Sequence, residues 1–329
     1  MERIGSESHK ATSWLVRLFA FREISLILVL LFFGIVMSSL SPVFLTRANL
    51  EAILLSLSVD AIIAIGMVIL LISGGLDLSV GSTLGFTGVV AGLALTALGL
   101  PAPLAILTGL LAALGVGLVN GFLVAKMKIN PFITTLGINI AVRGLLLVLA
   151  DGRAVLNLPD SFTVIGQGRL FGVQYPIYIM LMLVLAGDLL MRNARLFRQS
   201  YYIGGNEKAA QLSGINVDRV KIGNYCIVAL LAGIAGLLIT ARFGSASVTV
   251  GPGIELRVIT AAIIGGASLK GGEGSVFGAF LGALFMAILA NALNLMGVDV
   301  FWQSLITGLI LITAVVVDVI SERRKNRPK

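Results

Sequence analysis

Residues 52–72 read AILLSLSVDAIIAIGMVILLI, an apolar run broken by a single charge, Asp60. About 20 such residues carry a helix across a bilayer, and a helix apolar on every side has no face for water. Similar runs recur at 24–40, 78–98, 103–125, 132–150, 175–191, 222–241, 254–269, 275–296 and 301–320. Of the 329 residues 57% are hydrophobic and only 12% charged, with a mean hydropathy of +1.03. A soluble domain carries about 25% charged residues. The expectation is therefore an all-α membrane protein, a polytopic helical bundle with about ten transmembrane helices, some broken, and no sizeable soluble domain. The eighth run, short and opening on Glu255 and Arg257, is the one expected to be broken or re-entrant and supported by its neighbours. The eight prolines fall near span ends or in loops, as helix geometry requires.

Charge sets the orientation. An even number of spans puts both termini on one side, and with the amino terminus inside, 18 of the 24 Lys and Arg fall inside and 4 outside. The remaining two, Arg143 and Arg257, lie within spans. That asymmetry follows the positive-inside rule and accounts for the formal charge of +8 without nucleic acid. The map reads as a cytoplasmic tail over 1–23, a transmembrane domain over 24–320 and a basic cytoplasmic tail over 321–329. The first run is kept as a retained helix, because Leu40, Ser41 and Pro42 make a poor signal-cleavage site.

Catalytic chemistry has little to build on. His9 and Cys226 are the only His and Cys, which excludes a His/Cys metal cluster, a Ser/His/Asp triad and an internal disulfide. No Gly-x-x-x-x-Gly-Lys-Ser/Thr occurs; the nearest stretch, 266–273, ends Gly271-Gly272-Glu273 and cannot cradle nucleotide phosphates. Glycines four apart, in Gly81/Gly85, Gly88/Gly92, Gly117/Gly121 and the triple Gly274/Gly278/Gly282, mark faces for close helix packing.

Two loops carry more. In the basic segment 192–222, Asn206 is a good N-cap, Glu207 suits the positive end of a helix dipole, and Gly214 can end the helix in a left-handed conformation. A short helix is expected there, with Ala209 and Ala210 as a bare face on which another protein's groove could close. In 74–81, Gly74 and Gly75 should break a helix, and Asp77 lies where a carboxylate is costly unless paired or wetted. Two readings stand: a break offering backbone groups to a polar solute or a moving joint, and a cytoplasmic turn in which Asp77 caps the next helix. The pattern Gly-Gly-x-x-Leu then Gly-Ser-x-x-Gly at 74–85 recurs at 265–278 with two residues inserted, as internal repeats of transporters do. Within the spans Arg143, with Asn139 one turn before it on the same face, is a candidate for a polar stripe along a solute path, against interhelical hydrogen bonding. No pair of span carboxylates has an evident partner cation within one turn of the same span, which argues against an ion relay.

Glu207, Ala209, Ala210 and Gly214, in the last large cytoplasmic loop, resemble the coupling-helix signature of ATP-binding-cassette importer permeases. Gly204-Gly205-Asn206-Glu207 with Leu212-Ser213-Gly214-Ile215-Asn216, and the stretch from Ser73 to Gly81, are similar to ribose-type carbohydrate permeases. So are Asn130 to Gly137, Gly265 to Gly272 and Asn291 to Gly297, so the likeness covers nearly the whole chain. Where the family often places two Ala directly after Glu, this chain has Lys208 first.

The resemblance implies a permease of the bacterial inner membrane, without catalysis or cofactor of its own, for a ribose-like pentose or related sugar. It implies ATPase coupling at Asn206, Glu207, Ala209, Ala210 and Gly214. Gly74, Gly75, Asp77, Asn139, Arg143, Gly265 and Gly266 are the pathway candidates. The implied partners are a second permease chain (a copy or a paralogue), a cytoplasmic ATPase using ATP and Mg, membrane lipid, and a periplasmic or lipid-anchored sugar-binding protein, received in part by the outer loop 151–174. The alternatives are an ion-gradient-driven transporter and an importer permease for a non-sugar polar solute.

Overall fold

The computed structural model describes residues 22–325; most of the two expected tails, 1–23 and 321–329, lies outside them. The elements are α1 (Arg22–Leu40), α2 (Arg47–Ile72), α3 (Val80–Thr96), α4 (Ala102–Ala125), α5 (Pro131–Leu149) and the short α6 (Asp160–Gln167). After α6 comes an antiparallel hairpin of β1 (Arg169–Leu170) and β2 (Val173–Gln174), with Arg169 opposite Gln174. Then follow α7 (Tyr175–Asn193), α8 (Arg195–Gly205), α9 (Glu207–Leu212), α10 (Val217–Phe243), α11 (Ile254–Ile264), α12 (Val276–Leu295) and α13 (Val300–Lys325).

Each apolar run holds one helix, and eight of these helices are long and apolar enough to cross a membrane. The other two, α3 with 17 residues and α11 with 11, are shorter. At 1.5 Å per residue α11 rises only about 16 Å, roughly half a hydrocarbon core. The eighth run is therefore a half-helix followed by a glycine turn, Gly265 to Gly274, instead of a full span to 269.

The centre of the bundle is α2, buried at every position over 57–72, against α10, α12, α7 and α11. Helix α10 also packs on α3 and α4, while α13 packs on α11 at the rim. Side-chain caps begin several helices: Asn130 accepts from the Phe132 N–H, Asn216 from Arg219, and Ser275 from Gly278. The hairpin is tied to the start of α2, where Arg169 pairs with Glu51 at 2.9 Å and Arg47 donates to the Gly172 carbonyl at 3.2 Å.

The spaced glycines lie where backbones meet. Gly117 and Gly121 of α4 face the α10 backbone at Tyr225 and Ile222, and Gly278 and Gly282 of α12 face the α11 backbone at Gly265 and Ala261. A Cβ at Gly282 would overlap the Ala261 carbonyl, so Gly282→Val is expected to destabilise by about 1–3 kcal/mol through overpacking. Gly137 on α5 has open space around it, and Gly137→Ala should not lower thermal unfolding in detergent and should raise it slightly through helix propensity. Equal melting of the two variants would show that α11 and α12 are not closely apposed.

Between α10 and α11 the chain is not helical. It leaves α10 at Gly244, in the left-handed region, and re-enters helix at α11. Along the way it crosses α3 where that helix has no side chains: Ala246 beside Gly92, the Val250 carbonyl beside Gly85, Gly251 against Gly81. Non-helical backbone at membrane depth needs its polar groups satisfied by protein. Ala246 exchanges two hydrogen bonds with Val155, at 2.9 and 3.0 Å, and Arg143 serves two further carbonyls, as described next.

Candidate coupling surface and buried polar turn

Helix α9 is a capped, self-contained turn and a half. The Asn206 side chain accepts from the Ala209 N–H at 3.0 Å. At the other end the Gly214 N–H donates to the Gln211 carbonyl and the Ile215 N–H to that of Ala210, with Gly214 at φ +82°, a two-bond helix stop that needs the left-handed residue. Glu207 pairs with Lys221 at the start of α10, at 2.6 Å.

The helix does not present both alanines. Ala210 is buried against Ile203 and Val217, and its neighbour Ala209, about 100° further round the helix, is exposed. The outward face consists of Lys208, Ala209, Gln211 and Leu212. The small Ala210 side chain lets α9 close onto α8 and α10. Leu212 is the residue that sequence reasoning missed: it is 90% exposed, an apolar knob beyond the last core contact, and nothing in its spacing distinguishes it from a buried leucine.

Behind α9 three backbones meet. Gly204, near the end of α8, lies against the Ile72 carbonyl at the end of α2 and the Gly272 N–H in the turn after α11. The Gly272 N–H itself donates to the Ile72 carbonyl at 2.8 Å, and Gly271 faces Gly74. The Tyr201 hydroxyl, one turn earlier on α8, donates to the Gly274 carbonyl at 2.9 Å; burial raises this phenol above its ordinary pKa. The first glycine turn, at Gly74, and the second, at Gly271 and Gly272, are therefore neighbours, and α8 touches both. Gly265 and Gly266 begin the second turn, with Gly265 packed on Gly278.

Asp77 sits in the first turn, fully buried. It accepts from the Ser79 N–H at 2.7 Å and the Ser79 hydroxyl at 2.6 Å. The Asn120 amide of α4 donates to the Ser79 hydroxyl at 2.8 Å and to Asp77 at 3.4 Å, and the Tyr225 hydroxyl of α10 donates to the Leu76 carbonyl at 3.1 Å. The turn dips inward and is knotted to α4 and α10. Asp77 is directed into protein, not onto an open path, and Ser79 takes the N-cap position of α3.

Arg143 has a structural partner set. Its Nη1 donates to the Val248 and Val250 carbonyls at 3.2 and 2.8 Å, satisfying two acceptors of the non-helical stretch before α11. Asn139 is half-buried one turn away, and neither residue joins the glycine turns. Asp60 does have a cation: Arg257, on α11, approaches it through Nε at 2.9 Å and Nη2 at 3.0 Å. A partner 197 residues away lies outside its own span. Asp188 has a cation as well, Arg192 one turn on in α7 at 2.6 Å, just past the end of the run 175–191.

A helical bundle with a half-helix, internal glycine turns and a short exposed helix next to the one that touches those turns is built as a transport permease. The chain belongs to the family described as branched-chain amino acid transport system / permease component, whose model matches residues 49–315. It is similar to the ribose import permease protein of Escherichia coli (strain K12), 41% identical over 298 residues, 89% of this chain and 92% of that one. It is also similar to the L-arabinose ABC transporter permease protein of Azospirillum brasilense, 36% identical over 293 residues (89% and 86%), and to the xylose transport system permease protein of Haemophilus influenzae, 32% identical over 362 residues (92% and 96%). No solved structure matches the chain.

Proposed function

We propose that the chain is the membrane subunit of an ATP-binding-cassette importer for a pentose or related sugar. Two permease chains, copies or paralogues, would form the path, with a cytoplasmic ATPase docking on α9 and a periplasmic or lipid-anchored binding protein delivering solute at the hairpin end. ATP and Mg belong to the ATPase. The observation that carries the reading is α9, an exposed capped helix that follows directly on α8, whose Gly204 rests against the Ile72 carbonyl and Gly272 of the two glycine turns. Movement at Lys208, Ala209 and Leu212 has a short path to Gly74, Gly75, Gly265 and Gly266, with the Asp77 knot as the joint. With both termini cytoplasmic, as the 18-to-4 bias of Lys and Arg suggests, α9 and most cations would lie on the ATPase side.

The sugar class is supported by relatives named for ribose, arabinose and xylose. The family description names branched-chain amino acids, and that favours one second reading, an amino acid importer. Reconstitution with a cognate ATPase and binding protein in proteoliposomes tests both. ATP-dependent uptake of ribose, arabinose or xylose is expected. Uptake of leucine alone would support the second reading, and uptake by the lone chain on an ion gradient would overturn both.

A further inference from the structure

A groove of about 400 Å³ opens between α11, α12 and α13, inside the roughly 300–1,000 Å³ range of small-molecule sites. Its walls include Leu289 and Leu293 of α12, and its polar groups converge from two other helices: Arg257 from α11, and Gln303, Ser304 and Thr307 from α13. Positions 303 and 307 are one turn apart and 304 lies beside them, so the three share a face.

The Arg257 side chain remains 37% exposed although two of its nitrogens hold Asp60. Among the described residues none accepts a hydrogen bond from its Nη1. A guanidinium at membrane depth is costly against hydrocarbon, so the groove it faces holds water or a polar solute. On the other wall every proton is committed. The Ser304 and Thr307 hydroxyls donate to the Val300 and Gln303 carbonyls at 3.1 and 2.9 Å. Gln303 Nε2 donates to Asn294 Oδ1 at 2.8 Å and the Val298 carbonyl at 3.0 Å. What these three residues offer the groove is oxygen lone pairs.

Donors stand on one side, acceptors on the other, and apolar walls lie between. Hydroxyl groups both donate and accept, and the carbon face of a sugar is apolar. A free amino acid fits less well, since its ammonium would need a carboxylate and Asp60 is already taken by Arg257. We infer that this groove is a contact site for a polyhydroxyl solute on its way through the permease. The inference rests on the transport function proposed above and adds residues that the pathway candidates did not include.

Two measurements test it. In a Cys226→Ala background, Ser304→Cys and Thr307→Cys in proteoliposomes should react with a charged methanethiosulfonate, which reports a wet groove. In the complete complex, Gln303→Leu/Thr307→Val should lower ribose uptake at least tenfold with ATP hydrolysis retained. Restoring the acceptor as Gln303→Leu/Thr307→Ser should recover part of it and change the ratio of ribose to xylose uptake. Cysteines that do not react, or a double variant that takes up ribose at the parental rate, would overturn the groove. A parental complex that hydrolyses ATP but carries only leucine would overturn the sugar ligand and the proposed function together, while labelling still reports on the groove itself.

Discussion

Replacing Leu212 with aspartate is expected to lower ATP-driven uptake ten- to a hundredfold while the chain stays folded in the membrane. The side chain is 90% exposed, so there is almost no intrachain packing to lose. Burying a leucine in a partner's groove contributes about 1.5–3 kcal/mol, and each 1.4 kcal/mol is about tenfold in affinity. Glu207→Gln should do less, because its pair with Lys221 is partly exposed and such pairs contribute at most about 1 kcal/mol. Ala210→Asp should act differently again, by forcing a charge between Ile203 and Val217 and unseating α9 itself. Co-purification of the ATPase with each variant, alongside uptake, separates the three. Undiminished co-purification and uptake by Leu212→Asp would remove α9 from the docking surface.

Asp60→Leu is expected to be the most destabilising single change, at about 2–3 kcal/mol, less than the roughly 3–5 kcal/mol of a fully buried pair because the groove wets one side of the Arg257 guanidinium it strands. The pair joins the central helix α2 to the first turn of the half-helix α11, so its loss also frees that end. Asp60→Leu/Arg257→Met, which removes both charges, should recover most of the stability, though by the groove argument not the uptake. Thermal unfolding in detergent measures each. A single variant as stable as the parent would show that the groove solvates Arg257 without Asp60.

The helices were legible because a span needs only length and low polarity, both local properties. The half-helix was legible in part for the same reason, since Glu255 and Arg257 shorten its apolar run, but its end at Gly265 was not, because Ala267 and Leu269 carry the hydropathy on past the turn. The caps of α9 could be read from Asn206 and Gly214, since a cap is set by residues within one turn. Its orientation could not. Whether Ala209 or Ala210 turns inward depends on Ile203 and Val217, which approach from two other helices. The same holds for Asp60 with Arg257, for Asp77 with Asn120, and for Arg143, whose polar side chain reads as a pathway residue until the Val248 and Val250 carbonyls are seen within its reach. Leu212 shows the limit from the other side, because hydropathy alone files an exposed leucine with the core.

The junction of Gly204, Gly272 and the Ile72 carbonyl has a mechanical meaning. Side chains are compliant, and a push delivered through them is partly absorbed by rotamer changes. Here peptide planes bear directly on one another, without a side chain between α8 and the two turns it touches. A displacement of α9 should therefore arrive at the ends of α2 and α11 with little slack, and a single methyl group inserted there would alter the stroke more than the strength of the connection.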